Sequence, residues 1–310
     1  MTLEVYFAGR DDLWHAYRAP LAMALADAGV DARLDNGPPD PAAVDVIVHT
    51  PGAVADFAPF TRLRAVLNLW AGVEQVLKVP GLEAPLCRMV DPAMTEGMTE
   101  YVVGHVLRHH LGLDRDITGQ DGVWRKRSVP IARERHVTVL GLGELGRAAA
   151  GALAALNFDV TGWSRTARDV PGIRCRSGEA GLHAAMATAD ILVTLLPHTP
   201  ETEGLLDARR LAMLPRGACL VNPGRGALID EDALISALDD GHVAHATLDV
   251  FRTEPLPPEH PFWAHPGVTV TPHIAAETRP GTAARVIAET IRRLTAGEAL
   301  LHRVDRARGY

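Results

Sequence analysis

Three segments of the chain end in side chains that together could reduce a carbonyl group. Leu220-Val-Asn-Pro-Gly-Arg-Gly226 carries Arg225 between glycines, Thr247-Leu-Asp-Val-Phe-Arg-Thr-Glu-Pro255 carries Glu254 before a proline, and Thr269-Val-Thr-Pro-His-Ile-Ala275 carries His273. Each follows a short apolar run and is expected at the carboxyl end of a strand, where open α/β sheets bind ligands. Arginine offers a cationic clamp, and a histidine held in register by a carboxylate offers a proton. Reduction of a 2-keto acid requires that combination.

A fourth segment supplies a place for the reductant. His136-Val-Thr-Val-Leu-Gly-Leu-Gly-Glu-Leu-Gly146 is an apolar strand running straight into G-x-G-x-x-G, and the helix former Arg147-Ala-Ala-Ala-Gly-Ala-Leu-Ala-Ala-Leu156 follows. In this order each glycine has a mechanical task. Gly141 permits the tight turn, Gly143 lets the backbone approach a pyrophosphate, and Gly146 lets helix and strand pack closely. Glu144 and Leu145 lie in the same turn, where the helix start presents unpaired N–H groups to phosphate. The second strand of such a fold normally ends in an acid that bonds the adenosine ribose. Here it ends Thr161-Gly-Trp-Ser-Arg-Thr166, with Ser164 and Arg165 in that place and Thr166 next. A guanidinium and a hydroxyl accept a 2′-phosphate that a carboxylate would repel, so NADPH is expected over NADH, with NAD the weaker alternative.

These residues need elements to hold them, and the chain has room for such elements. At 310 residues, with 47% hydrophobic and 22% charged residues, it reads as about two globular domains. The net charge of −7 argues against nucleic acid as the main partner. The start lacks the pattern of a signal peptide, and no apolar run approaches the ~18 residues of a membrane span. The three cysteines, Cys87, Cys175 and Cys219, are scattered, as in a reduced cytoplasmic protein. Strands are expected at Leu3–Ala8, Asp45–Val48, Ala65–Trp70 and Cys87–Val90, with a helix over Asp11–Ala28 and a loop over Asp35–Pro41. A long helix runs from about Thr95 towards Asp114, and a polar connector, Asp116–Arg135, leads to the glycine-rich strand. Further strands are expected at Asp159–Ser164, Ile191–Leu196, Ala218–Asn222, Ala246–Val250 and Val268–Pro272, alternating with helices. The last helix, Thr282–Ala296, and the tail Val304–Tyr310 are expected to return to the first domain. Alternation of this kind implies α/β architecture with parallel sheets and right-handed crossovers.

The chain resembles the D-2-hydroxyacid dehydrogenase family, and within it the bacterial glyoxylate/hydroxypyruvate reductase A group. The likeness rests on Gly141–Gly146, Leu195-Leu-Pro-His-Thr-Pro-Glu-Thr202, Asn222–Gly226, Leu248–Pro255, Thr271–Ala276, Leu69-Trp-Ala-Gly-Val73 and the tail Val304–Tyr310. It implies two doubly wound parallel-sheet domains: a Rossmann cofactor domain over 99–278, inserted in a flavodoxin-like substrate domain of 1–98 and 279–310. It implies NADPH-dependent reduction of glyoxylate and hydroxypyruvate, with Arg225 binding substrate, Glu254 as the acid and His273 as proton donor. Ala71 and Gly72 match the loop whose amides hold the substrate carboxylate. Asp249 matches a contact to the nicotinamide carboxamide, Pro197 lines the cofactor groove, and Asn222 and Pro223 belong to the cofactor-binding set. Trp124 resembles a tryptophan that enters the neighbouring subunit's active site, which implies a homodimer.

Other residues have plainer readings. His109 and His110 are adjacent on a helix and share no face, so no metal site is expected there. His242 and His245 flank a strand start without an evident ligand partner. Cys219 reads as a small core residue, and His198 as a loop residue. His49, just after a strand, is open to a functional or a structural role. Two other functions use the same fold: phosphite or formate oxidation, where formate chemistry expects glutamine beside the histidine, and dinucleotide sensing, as in the C-terminal-binding protein corepressors.

Overall fold

The structure is a computed structural model and describes residues 2–37 and 39–310. It divides into two compact units, one formed by Met1–Met94 with Glu277–Tyr310 and the other by Thr95–Ala276.

The first unit is built on β1 (Leu3–Ala8), α1 (Asp11–Asp27), β2 (Ala32–Asp35), β3 (Val46–His49), β4 (Ala65–Asn68) and β5 (Leu86–Cys87). All five strands pair in parallel, in the order β2-β1-β3-β4-β5. β3 (VIVH) and β4 (AVLN) are buried along their whole length, as strands covered on both faces must be. Ile47, Val66 and Leu86 pack with Phe57, Val73 and Val76 into one core.

In the second unit α2 (Pro92–Leu111) starts at the junction and is followed by α3 (Leu113–Thr118), β6 (His136–Leu140), α4 (Glu144–Ala155), β7 (Asp159–Ser164) and β8 (Arg174–Ser177). Then come α5 (Gly178–Met186), β9 (Ile191–Thr194), α6 (Ala208–Leu211), β10 (Ala218–Asn222), α7 (Glu231–Asp239), β11 (Val243–Leu248) and β12 (Val268–Val270). The seven strands are parallel in the order β12-β11-β10-β9-β6-β7-β8. Chain order reverses between β6 and β9, and ligands bind outside the carboxyl ends of strands at such a switch point. The last helix, α8 (Pro280–Ala296), belongs to the first unit and packs on α1, burying Ala283, Ala284, Ile287 and Ile291. The tail then bridges the sheet edge: Cys87 pairs antiparallel with Arg303, and Val304 enters the core.

The sequence reading needs several corrections, among them β5, expected over Cys87–Val90 and found at Leu86–Cys87. β2 and β8 were not expected; both are edge strands, and β2 reaches into the segment read as loop. The long helix ends at Leu111, because Gly112 takes φ +66° and turns the chain into α3. β11 begins at Val243 and stops at Leu248, so Asp249 and Val250 lie beyond the strand.

Candidate active site

The turn after β6 has the constraints that its glycines predict. Gly141 takes φ +108°, and a Cβ there would come within 2.4 Å of the Leu195 carbonyl oxygen. A Cβ on Gly146 would fall 1.7 Å from the Gly141 carbonyl oxygen, so helix and turn could not approach as they do. At Gly143 a Cβ would meet nothing within 4 Å, and this residue caps α4 without a side-chain bond. The turn therefore opens outward at the N-terminus of a twelve-residue helix, a shape and polarity that fit a pyrophosphate. Glu144 forms an ion pair with Arg147 on the first turn of the helix, and Leu145 packs against the core.

At the end of β7, Ser164 Oγ donates to the Thr166 carbonyl over 2.8 Å. Arg165 Nη1 stands 4.0 Å from Glu201 Oε2, with side chains 44% and 66% exposed. An exposed pair at that distance is weak. After β9, the Pro197 carbonyl accepts from Thr202 Oγ1 at 2.7 Å, which holds the loop, and His198 pairs with Glu203.

Asn222, at the end of β10, is fully buried and spends its amide on the loop that carries Arg225. Its Oδ1 accepts from Thr194 Oγ1 (2.6 Å) and from the Gly224 N–H (3.1 Å), while Nδ2 donates to the Arg225 carbonyl at 3.1 Å. Pro223 is buried beside it, and Arg225 Nη1 donates to the Gly224 carbonyl at 2.7 Å.

Asp249 is fully buried beyond β11, and three donors meet its carboxylate. Oδ1 accepts from the Thr271 hydroxyl (2.5 Å) and the Ile274 N–H (2.9 Å), and Oδ2 accepts from the Ala275 N–H (2.9 Å). Because Thr271 donates to Asp249, the Tyr101 hydroxyl 2.7 Å away donates to Thr271. His273, in the middle of this clamp, sends its own N–H to the Asp249 carbonyl at 2.9 Å and takes φ +56°, an unusual backbone for a histidine. Asp249 thus fixes the backbone that presents His273.

His273 Nδ1 lies 2.7 Å from Glu254 Oε2, and Glu254 Oε1 accepts the Phe251 N–H at 2.9 Å. The bond to Glu254 holds the His273 pKa above the ordinary imidazole value; burial and the Arg225 charge oppose it, while the charges of Glu254 and Asp249 assist. Burial pushes Glu254 upward, but the bonds from His273 and the Phe251 N–H, with the charges of His273 and Arg225, bring it below the usual carboxylate value. The dyad and Arg225 therefore act on one another, and the His273 side chain, 53% exposed, faces solvent. The group holds its proton more tightly than a free imidazole and has a solvent-facing side from which to release it.

The loop Leu69–Val73, with Ala71 and Gly72, lies in the first unit after β4, and Trp70 on it is 39% exposed. Trp124 is 95% exposed in the connector of the second unit. Of the residues read as structural, His109 bonds Thr247 Oγ1 at 3.0 Å and His110 packs edge-on against Phe158. Cys219 packs against the core. Among the described residues no group of three or more His, Cys, Asp or Glu is arranged to hold a metal ion. Thr194, Asn68, Tyr101 and Thr271 escaped the sequence reading, although one signal marked the first two. β3, β4, β9 and β10 are apolar runs that each end in a polar residue: His49, Asn68, Thr194 and Asn222, all at 2% exposure or less.

Residues 102–275 match the family model described as D-isomer specific 2-hydroxyacid dehydrogenase, NAD binding domain. A D-isomer specific 2-hydroxyacid dehydrogenase of Xanthobacter autotrophicus Py2, solved with NADPH and MES, is 41% identical over all of both chains, with a TM-score of 0.92. The NADPH-dependent glyoxylate/hydroxypyruvate reductase of Sinorhizobium meliloti, solved with NADP and sulfate, is 35% identical over all of both chains at a TM-score of 0.88. A probable 2-hydroxyacid dehydrogenase of Rhizobium etli CFN 42, with NADP, HEPES and tartaric acid, is 32% identical at 0.89, covering 100% of this chain and 99% of its own. With a dinucleotide turn, an Asn222-braced arginine and a Glu254–His273 dyad at the ends of one parallel sheet, this chain belongs to the D-isomer specific 2-hydroxyacid dehydrogenase family.

Proposed function

We propose that the protein reduces small 2-keto acids, glyoxylate and hydroxypyruvate foremost, with NADPH as reductant. The observation that carries this reading is the 2.7 Å Glu254–His273 bond, with His273 held above its ordinary pKa in the field of Arg225. Gly141, Gly143, Glu144, Leu145 and Gly146 would hold the pyrophosphate. Ser164, Arg165 and Thr166 would hold the 2′-phosphate, and Pro197, Asn222, Pro223 and Asp249 would border the rest of the dinucleotide. Once bound, NADPH supplies a hydride. Ala71 and Gly72 would bind the substrate carboxylate through backbone amides, and Arg225 would clamp the carboxylate and polarise the ketone. Glu254 takes the Nδ1 hydrogen bond, so Nε2 of His273 carries the proton that passes to the ketone oxygen. The neutral ring then regains a proton from solvent.

A homodimer is part of the same reading. Ile117, Val123, Trp124 and Ile131 are exposed by 66%, 60%, 95% and 51%, a density of apolar groups that suits burial by a second copy, with Trp124 entering its substrate pocket. The scattered, unpaired cysteines suit the reducing cytoplasm.

Steady-state assay of a 2-keto acid panel with NADPH and NADH is the direct test. Glyoxylate and hydroxypyruvate are expected to give the highest kcat/KM, and a higher value for phenylpyruvate or a branched-chain keto acid would refute the small-pocket assignment. Absence of turnover with every acid would favour dinucleotide sensing. Arg165→Ala is expected to lower kcat/KM for NADPH by roughly 10- to 150-fold, the value of one charge-assisted contact, and to spare NADH. Equal losses with both cofactors would detach Arg165 from the 2′-phosphate.

A further inference from the structure

His49 and Asn68 end the adjacent strands β3 and β4, directly opposite each other in the parallel register. Both side chains are shut off from solvent, at 0% and 2% exposure, and the chemistry above uses neither. His49 Nδ1 lies 3.0 Å from Asn68 Oδ1. Asn68 Nδ2 meets two acceptors, the carbonyls of Trp70 and Gly72, each at 2.8 Å. Two acceptors identify that end as the NH2 group, so Oδ1 accepts and His49 Nδ1 carries the hydrogen. His49 Nε2 is buried with no hydrogen-bond partner among the described residues. A protonated ring would place an unmet donor and a charge there, so the ring is neutral and serves as a fixed donor. Burial also lowers its pKa.

The consequence falls on the loop Leu69–Val73. Its peptide bonds are trans, so a carbonyl turned towards Asn68 turns the N–H of the same plane away. The Trp70 carbonyl shares its plane with the Ala71 N–H, and the Gly72 carbonyl shares its plane with the Val73 N–H. The Met89 N–H gives the Trp70 carbonyl a second bond at 3.1 Å, and the Thr278 hydroxyl holds the Leu69 carbonyl at 3.1 Å. The Leu69 N–H is spent on the His49 carbonyl at 2.9 Å. One side-chain amide therefore pins the planes on both sides of the Ala71–Gly72 peptide. The Ala71 N–H is directed away from Asn68, and the Gly72 N–H is confined between two fixed neighbours.

We propose that Asn68 and His49 are positioning residues: the His49 donor locks the Asn68 amide, which holds the loop in the shape whose amides bind the substrate carboxylate. The inference rests on the 2-keto acid reading for its ligand, but its structural half does not. In Asn68→Asp, which keeps the size of the side chain, the NH2 group that makes both bonds becomes a single oxygen facing two carbonyls. Its KM for glyoxylate is expected to rise about 10- to 100-fold, as befits two lost hydrogen bonds, with the NADPH Kd unchanged and kcat less affected. His49→Asn places an amide nitrogen where Nδ1 stood and is expected to stay near wild type, whereas His49→Leu follows Asn68→Asp. Hydrogen exchange of peptides spanning 66–77 is expected to quicken in Asn68→Asp and His49→Leu and nowhere else in the chain. Should Asn68→Asp fail to fold, the His49→Asn and His49→Leu pair decides. An unchanged KM together with unchanged exchange in the folded variants would overturn the proposal, as would equal behaviour of His49→Asn and His49→Leu. If the wild type fails to turn over glyoxylate, the substrate reading fails, and the exchange data alone then uphold or overturn the positioning role.

Discussion

His273 and the trio His105, His109 and His245 belong to the same unit and lie against the same pair of strands or just beyond them, the first two of the trio on α2 and His245 on β11, yet they use the imidazole ring in opposite ways. β11 carries Thr247, which meets His109 Nε2 at 3.0 Å, and the chain just beyond that strand carries Asp249, which clamps the His273 loop. β12 carries Thr269, which meets His245 Nε2 at 2.8 Å, and the chain then runs on to His273. His109 packs on His245 with ring centroids 5.2 Å apart, and His105 packs on Tyr101 at 4.4 Å. Burial lowers the pKa of all three, that of His109 to about 3, and the Arg108 charge adds to the effect. His273 has a carboxylate partner and half its side chain in solvent, and its pKa rises. Burial, with a hydroxyl partner for His109 and His245, favours a neutral, structural histidine; a carboxylate at the surface makes it a proton store.

The sharpest way to break this contrast is to remove each ring in turn. His273→Ala is expected to lower kcat about 10²–10⁴-fold while NADPH still binds, and His109→Gln is expected to leave kcat within about twofold. Comparable losses in the two variants, measured at saturating glyoxylate, would erase the distinction. The pH profile is the next test. With its pKa raised, His273 stays protonated beyond pH ~6.5, and both the dyad's stabilisation and the activity fade as pH climbs through the folded value. Glu254→Gln should carry the falling limb of kcat/KM towards lower pH, and a stationary limb would separate the two residues.

The smallest effect has the opposite sign. The trio's folded pKa values lie below the unfolded value of ~6.5, so the stability they contribute is full above that pH and is lost as pH falls through the folded values, about 3 for His109. Each proton taken up on unfolding steepens the decline by about 1.4 kcal/mol per pH unit. Thermal denaturation between pH 7 and 5 should show a falling Tm, with a shallower slope in His109→Gln. A slope identical to wild type would mean that another group carries the acid sensitivity.

Apart from the half-buried edge strand β12, the strands that the sequence revealed are mostly those it buries. β9 reads ILVT and β10 reads ACLVN, and continuous apolar runs between turn signals point to covered strands. β2 reads ARLD and β8 reads RCRS; each lies at a sheet edge with alternate or most residues exposed, so hydrophobic patterning left no mark. Charge on such edges is a known guard against pairing with other chains, and it is also what makes them look like loops. The candidate site was legible where a residue type has few other uses at a strand end, as with Arg225, Glu254 and His273. It was illegible where function depends on which backbone group a polar side chain meets. Nothing in the type of Asn68 or Thr271 tells that one grips two carbonyls and the other a buried carboxylate.

The packing of α8 on α1 also sets an order of assembly. The second unit is continuous in the chain, but the first lacks α8 and Val304 until its last stretch emerges from the ribosome. At ordinary elongation rates the N-terminal sheet waits roughly 10–40 s for these pieces. Throughout that interval α1 stands without the helix that later packs on it. The nascent first unit is thus the form of this protein most in need of a chaperone, while the unit translated after it can already be folded.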